Sequence, residues 1–328
     1  MSALPEKSNQ VSVAPPDPRV DEINRVLIGA GGRPPNPVAA FTMFRGAVAA
    51  GSAAAAERLA ALAAHGINRQ ANWNEAIGWL VKAADMGHAP AQHQLKVLAG
   101  ADDARVEGSW VQLARSIDIK GLLRAPSLTR VHESPAIALI EGLATPAMCR
   151  WLVQRADSRL GPAKIGDYAT GKGAVDPIRT GLAAGFGLAD KDTVLVLTQK
   201  RLELASGLKV LQQEAPHVLS YEVGQEYKAH FDFFAPGETA FQHTLNTMGQ
   251  RIGTCLTWLN DDYEGGETAF PKINWKHRGK PGDSMLFLNV RTSDRQPDSM
   301  TLHAGMPVTG GRKWLLSQWV RDRAQPIV

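Results

Sequence analysis

The stretch Tyr221-Glu-Val-Gly-Gln-Glu-Tyr227-Lys-Ala-His230-Phe-Asp232-Phe-Phe234 decides how the rest of the chain is read. Apolar and aromatic residues alternate at Tyr227, Ala229, Phe231 and Phe233, so the period of two predicts a strand. Residues two apart on a strand point the same way, and His230 and Asp232 would then project together toward one ion. On a helix they would stand about 200° apart, too far round to share it.

A third donor has to come from elsewhere. His303, in Ser299-Met-Thr-Leu-His303-Ala-Gly-Met-Pro307, lies 73 residues further on, at the edge of another predicted strand. Two imidazoles and one carboxylate on one face leave coordination positions open, as in non-haem iron oxygenases. Zinc accepts the same donors, but no recognisable motif nearby supplies a hydrolytic general base. Ten residues after His303, alternation in Lys313-Trp-Leu-Leu-Ser-Gln-Trp319 places Lys313, Leu315, Ser317 and Trp319 on one face. If that face looks inward, Lys313 is a buried cation and requires an anionic partner. The distal carboxylate of a dianionic keto acid chelating the ion would supply one.

Working outward, short strands separated by Gly and Pro turns continue from Gly161 to the C-terminus, which predicts a β-sandwich or jelly roll. Pro135 to Leu143 reads as a strand, and Thr145 caps a helix over Met148 to Leu160. The glycine-rich segments at Gly171-Lys172-Gly173 and Gly181 to Gly187 are expected to be flexible. No Lys-Ser/Thr follows them, so they are not phosphate cradles. Pro236 to Asn246 is expected to be a mobile loop near the mouth of the site, with His243 solvated.

Residues 37–100 are alanine-rich with helical spacing. Gly51 and Gly87 lie 36 residues apart, within Ala49-Ala-Gly51-Ser-Ala53 and Ala84-Asp-Met-Gly87-His-Ala89. That interval is a helix-pair repeat period, and small residues at such places let helices approach closely. Residues 1–36 carry much of the proline and read as flexible, apart from a short helix near Val20 to Ile28. Residues 101–130 form a partly helical connector.

Composition bounds the function. Of 328 residues 44% are apolar, enough for a substantial core. The formal charge is only +4, from 36 basic and 32 acidic side chains, without the clustered basic face of a nucleic-acid binder. Cys149 and Cys255 sit in apolar runs and read as buried free thiols rather than a disulfide. Neither a secretory leader nor a membrane-length apolar run is apparent, so the expected location is cytoplasmic, with no membrane partner.

Several segments resemble, in order, the prolyl 4-hydroxylase branch of the 2-oxoglutarate/Fe(II)-dependent dioxygenases: YEVGQEYKAHFDFF, GQRIGTCLTWLND, EGGETAFP, KPGDSMLFLNV and LHAGMPVTGGRKWLLSQWV, spanning positions from about 133 to 323. The resemblance implies an α+β chain: a double-stranded β-helix (jelly roll) with supporting helices over residues 131–328, preceded by the small helical region. It implies that His230, Asp232 and His303 bind Fe(II). Lys313, with Tyr221 and Thr268, would hold the 2-oxoglutarate carboxylate, Trp319 would flank that pocket, and Arg251 would face the primary substrate. The co-substrates would be 2-oxoglutarate and O2, with ascorbate as a reductant. The reaction would hydroxylate an unactivated carbon, in a prolyl residue of a peptide or protein or alternatively in a free imino acid or other small molecule. An aspartate at position 232 argues against a halogenase, which leaves that coordination site open for chloride. In the helical region, Trp79-Leu-Val-Lys-Ala-Ala84 resembles the core of Sel1-like repeats, relatives of tetratricopeptide repeats, which implies a surface for a protein partner or a plain helical cap. A catalytically inactive jelly-roll binding protein and a zinc hydrolase on a cupin-like barrel are the competing expectations.

Overall fold

The computed structural model describes residues 17–101, 108–167, 172–175, 178–235 and 237–327. The first sixteen residues of the expected flexible segment, residues 102–107 of the expected connector, Gly171 and Pro236 lie outside them. The chain divides into two compact units, one of Met1–Ile119 with Asp192–Val196, the other of Lys120–Lys191 with Leu197–Val328.

The elements among the described residues of the first unit are helices: α1 (Pro18–Ile28), α2 (Pro37–Ala49), α3 (Ala53–His65), α4 (Trp73–Asp85), α5 (Ala89–Leu98) and α6 (Trp110–Arg115). Asp17, Asn36, Ser52 and Asn72 each cap a helix by accepting a backbone N–H of its first turn. Successive helices pack together from α1 to α5, and α3 is buried on nearly every side because eight of its positions are alanines that admit a neighbour closely. The short helix expected near Val20 to Ile28 is α1, which buries Val20, Ile23 and Leu27. The turns at Gly51 and Gly87 are copies of one another. Both glycines are left-handed, at φ 88° and 84°, and Ser52 N–H bonds Ala47 C=O as His88 N–H bonds Ala83 C=O. This is the six-to-one closure that needs glycine after the helix.

The second unit carries the sheets. Its elements begin with α7 (Ile119–Leu122), β1 (Leu128–His132), β2 (Ile137–Ile140), α8 (Pro146–Asp157), β3 (Gly161–Pro162), β4 (Lys164–Asp167), β5 (Lys172–Val175), β6 (Leu182–Gly185) and, from Leu197 onward, α9 (Thr193–Ser206). They continue with β7 (His217–Tyr221), β8 (Tyr227–His230), α10 (Thr239–Met248), β9 (Arg251–Trp258), β10 (Tyr263–Gly265), β11 (Thr268–Phe270), β12 (Trp275–His277), β13 (Ser284–Leu288), β14 (His303–Gly305), β15 (Val308–Gly311) and β16 (Lys313–Arg321). The large sheet runs β1-β2-β13-β9-β16-β7-β6-β3 and the small one β12-β11-β14-β8. Their facing side chains, among them Tyr221, Leu256, Phe270, Phe287 and Leu315, form one core. On the far face Cys255, Leu286 and Val320 pack with Leu202 of α9. Coverage of both faces explains why all nine residues of β16 are buried. The unit is the double-stranded β-helix expected from the sequence, with Thr145 capping α8 through the Met148 N–H.

Two expectations are corrected. Thr239–Met248 is helix α10 and not a loop, anchored by Phe241 against Phe234 at 5.1 Å and ended by Gly249. His243 lies exposed on it. Gly181 to Gly187 contains β6, which pairs with β7 from Leu182↔Ser220 to Gly185↔His217. The glycine at 181 serves packing, since a Cβ there would stand 2.5 Å from the Tyr221 ring. Cys149 and Cys255 are free and buried, and burial pushes both thiols up to about 12. Among the described residues no helix is long and apolar enough to cross a membrane.

Candidate metal centre

His230, Asp232 and His303 come together, their donor atoms all within 4.8 Å of one another. The two histidines are cross-strand partners on β8 and β14, and the small sheet itself sets them side by side. Asp232 does not continue the strand as expected: β8 stops at His230, and the aspartate sits in a bend two residues on. The simple alternation also fails. His303 faces His230 while Gly305 faces Tyr227, so three steps along β8 oppose two along β14. This bulge rotates the strand and puts Tyr227 on the same cavity wall as His230, the rings stacked with centroids 3.5 Å apart. Ala229 and Phe231 are left exposed.

Hydrogen bonds select the ring nitrogens. His230 Nδ1 lies 2.8 Å from the Lys228 carbonyl and His303 Nδ1 lies 2.9 Å from the Thr301 carbonyl. A carbonyl only accepts, so each Nδ1 carries the proton and each Nε2 presents its lone pair. Asp232 Oδ1 is 3.7 Å from Nε2 of His230, and Oδ2 is 3.5 Å from Nε2 of His303. These separations exceed a hydrogen bond and leave the three groups facing a shared space. Burial, then the neighbouring His303, holds the His230 imidazole well below its ordinary value. Burial alone would raise the Asp232 carboxyl, but the two imidazoles, Arg251 and the Thr254 hydroxyl keep it below the usual range. A neutral imidazole beside an ionised carboxylate is the state that binds a divalent cation.

The three donors line an open-mouthed cavity between the two sheets, about 480 Å³ with the space at its mouth included. The sequence face Lys313, Leu315, Ser317 and Trp319 lines it, with Tyr221 of β7 and Thr268 of β11. Lys313 is 2% exposed. Its ammonium donates to the Gly266 carbonyl at 2.6 Å and lies 5.6 Å from the Tyr221 ring centre. No carboxylate among the described residues pairs with it. Burial drives Lys313 down to about 7, with Glu267 opposing weakly. A buried, unmatched cation in a cavity that also holds a metal-ligand set fits a small dianion spanning the two. Trp319 adds an indole N–H with no acceptor among the described residues.

Arg251 does not line the cavity. It sits behind Trp319, its guanidinium 4.0 Å from that ring centre, and grips Glu214 through Nε and Nη2 at 2.7 and 3.0 Å. Glu214 is shared with Arg321. Sequence reasoning missed Arg179, a buried wall residue whose Nε donates to the Tyr221 hydroxyl at 3.2 Å. It falls in a segment with no clear periodicity, and no local pattern marked it.

Residues 216–321 match the 2OG-Fe(II) oxygenase superfamily. Prolyl 4-hydroxylase 1 of Arabidopsis thaliana is 33% identical over 210 residues, covering 59% of this chain and 71% of the relative. Prolyl 4-hydroxylase subunit alpha-1 of Rattus norvegicus is 31% identical over 203 residues, 61% of this chain and 35% of that subunit. Among solved structures, the viral collagen prolyl hydroxylase of Paramecium Bursaria Chlorella virus-1, as its 2OG complex, aligns with a TM-score of 0.43 at 25% identity. That alignment covers 56% of this chain and 94% of the viral one. With an Fe(II), 2-oxoglutarate and O2 requirement that its donor set and buried lysine fit, the chain belongs to the prolyl 4-hydroxylase-like 2-oxoglutarate-dependent dioxygenases.

Proposed function

We propose that this enzyme hydroxylates a prolyl residue within a peptide or protein, with 2-oxoglutarate converted to succinate and CO2. One oxygen atom of O2 enters the C–H bond of the substrate and the other enters succinate. The observation that carries the reading is the pairing, in one cavity, of a His230–Asp232–His303 donor set with the unmatched ammonium of Lys313.

His230, Asp232 and His303 would hold Fe(II), which supplies the activation of O2 when bound. Lys313 would take the distal carboxylate of 2-oxoglutarate, with the Tyr221 and Thr268 side chains beside it on the cavity wall. The charges balance: a divalent ion with one carboxylate keeps a single positive charge, and a dianion meets that charge and the ammonium. The apolar wall from Leu219, Leu256 and Leu315 would limit water at the reacting centre, so the protein would contribute positioning and a drier environment rather than proton transfer.

The peptide reading draws on the named activities of the relatives and on the charge of the wall. Among the described residues the cavity lining has no carboxylate besides Asp232. The ammonium of a free imino acid would lack a counter-ion there, whereas a residue inside a peptide carries none. Phe231 and Met306 are 38% and 40% exposed, and Met306 also lines the cavity, offering apolar surface to a flanking chain. The test supplies Fe(II), 2-oxoglutarate and O2 with a proline-rich peptide and free proline in competition. Mass spectrometry should find one added oxygen on the peptide alone. Oxygen added only to free proline would overturn the peptide reading while leaving the oxygenase intact.

A further inference from the structure

We propose that Thr254 and Asn289 are positioning residues that orient Asp232 toward the metal through a two-step hydrogen-bond relay. The inference rests on the reading of His230, Asp232 and His303 as the metal ligands.

Each histidine is oriented by a carbonyl two residues earlier in its own segment of chain. Asp232 has no such help, because it lies in a bend past the end of β8. What holds it comes from the opposite sheet. The Thr254 hydroxyl on β9 donates to Asp232 Oδ2 at 2.7 Å, and Asn289 Nδ2 donates to the Thr254 oxygen at 2.9 Å. The order of donors is forced. An amide NH2 only donates and a carboxylate only accepts, so the hydroxyl hydrogen must point at Asp232. Asn289 is itself pinned, its N–H bonding the Ile252 carbonyl at 3.0 Å and its carbonyl accepting from Asp298 N–H at 2.9 Å.

Burial shows what the relay is for. Thr254 and Asn289 are 1% and 0% exposed, and among the described residues Asn289 Oδ1 is buried without a hydrogen-bond partner. An amide with an unmet carbonyl is a poor choice for stability alone. Its value here lies in the NH2 group, which fixes the polarity of the Thr254 hydroxyl. With Oδ2 engaged by Thr254, Oδ1 keeps both lone pairs for the ion. Partners that orient metal ligands in this way are typically worth about 10–100-fold in metal affinity.

The experiment is a Co(II) titration of the full-length protein, followed by visible absorption, beside thermal melting of the metal-free forms. Thr254→Val, which keeps the shape and removes the hydroxyl, should weaken Co(II) by about 10–100-fold, and Thr254→Ser should restore it. Asn289→Leu should weaken binding on its own, yet add nothing in the Thr254→Val background, because it acts through that hydroxyl. Lowered melting of Thr254→Val with wild-type Co(II) affinity would overturn the proposal in favour of a structural role. So would additive losses in the double variant. Failure of the wild-type protein to bind Co(II) would instead overturn the metal-site reading beneath it.

Discussion

Strand β16 begins at Lys313 and ends at Arg321, and both cations are buried, at 2% and 0% exposure. Their surroundings are opposite. Arg321 shares Glu214 with Arg251, and the two guanidinium groups flank the Phe234 ring at 4.7 and 5.1 Å. Burial would raise the Glu214 carboxyl, but the two arginines hold it below the usual carboxylate range. Among the described residues Lys313 has one carbonyl and no carboxylate. A buried charge that brings its own counter-charge belongs to the architecture, and one that lacks it marks where a ligand belongs.

The contrast can be broken most forcefully at Glu214. Glu214→Gln removes the carboxylate that the two guanidinium groups share and should cost about 3–5 kcal/mol in denaturant unfolding. Lys313→Met should leave unfolding stability unchanged or raise it, since it removes an unmatched buried charge. The same variant should weaken 2-oxoglutarate binding by about 2–5 kcal/mol, read as Kd by calorimetry. Equal stability losses at both positions would erase the distinction.

A finer test uses pH. Unfolded, Lys313 titrates near its ordinary 10.5; folded, it releases its proton at about 7. Between those values the unfolded chain binds more protons, so this group makes stability rise with pH, a slope that Lys313→Met should remove. The co-substrate requires the ammonium, so its affinity should fall by about tenfold per pH unit above about 7. The smallest effect is expected at Thr268, where Thr268→Val should cost about 0.5–1.5 kcal/mol of 2-oxoglutarate affinity, the value of one neutral hydrogen bond.

Both ends of the cavity were legible in the sequence because local spacing carries them. The ten-residue step from His303 to Lys313 and the alternation through Trp319 needed no knowledge of distant partners, and that whole face does line the cavity. Where a local rule was broken, reading failed. The bulge in β8 put Tyr227 beside His230 against the period of two, and a run with few apolar residues concealed helix α10, whose anchor is Phe234. Glu214 could not be singled out, because its partners lie 37 and 107 residues away. The same holds for Arg251: its motif suggested a role toward substrate, while the carboxylate that engages it is visible only once the sheets are assembled.

Two side chains from one short stretch of chain and a third from a remote strand make one metal site, and that site should drive 2-oxoglutarate turnover. The most direct measurement is succinate formed per hydroxylated peptide in wild type, His230→Ala and His303→Ala, each loaded with Fe(II) and confirmed folded. Wild type should give the two products in equal amounts, and both should vanish in each variant. Hydroxylated peptide from either variant, or from wild type deprived of 2-oxoglutarate, would contradict the account.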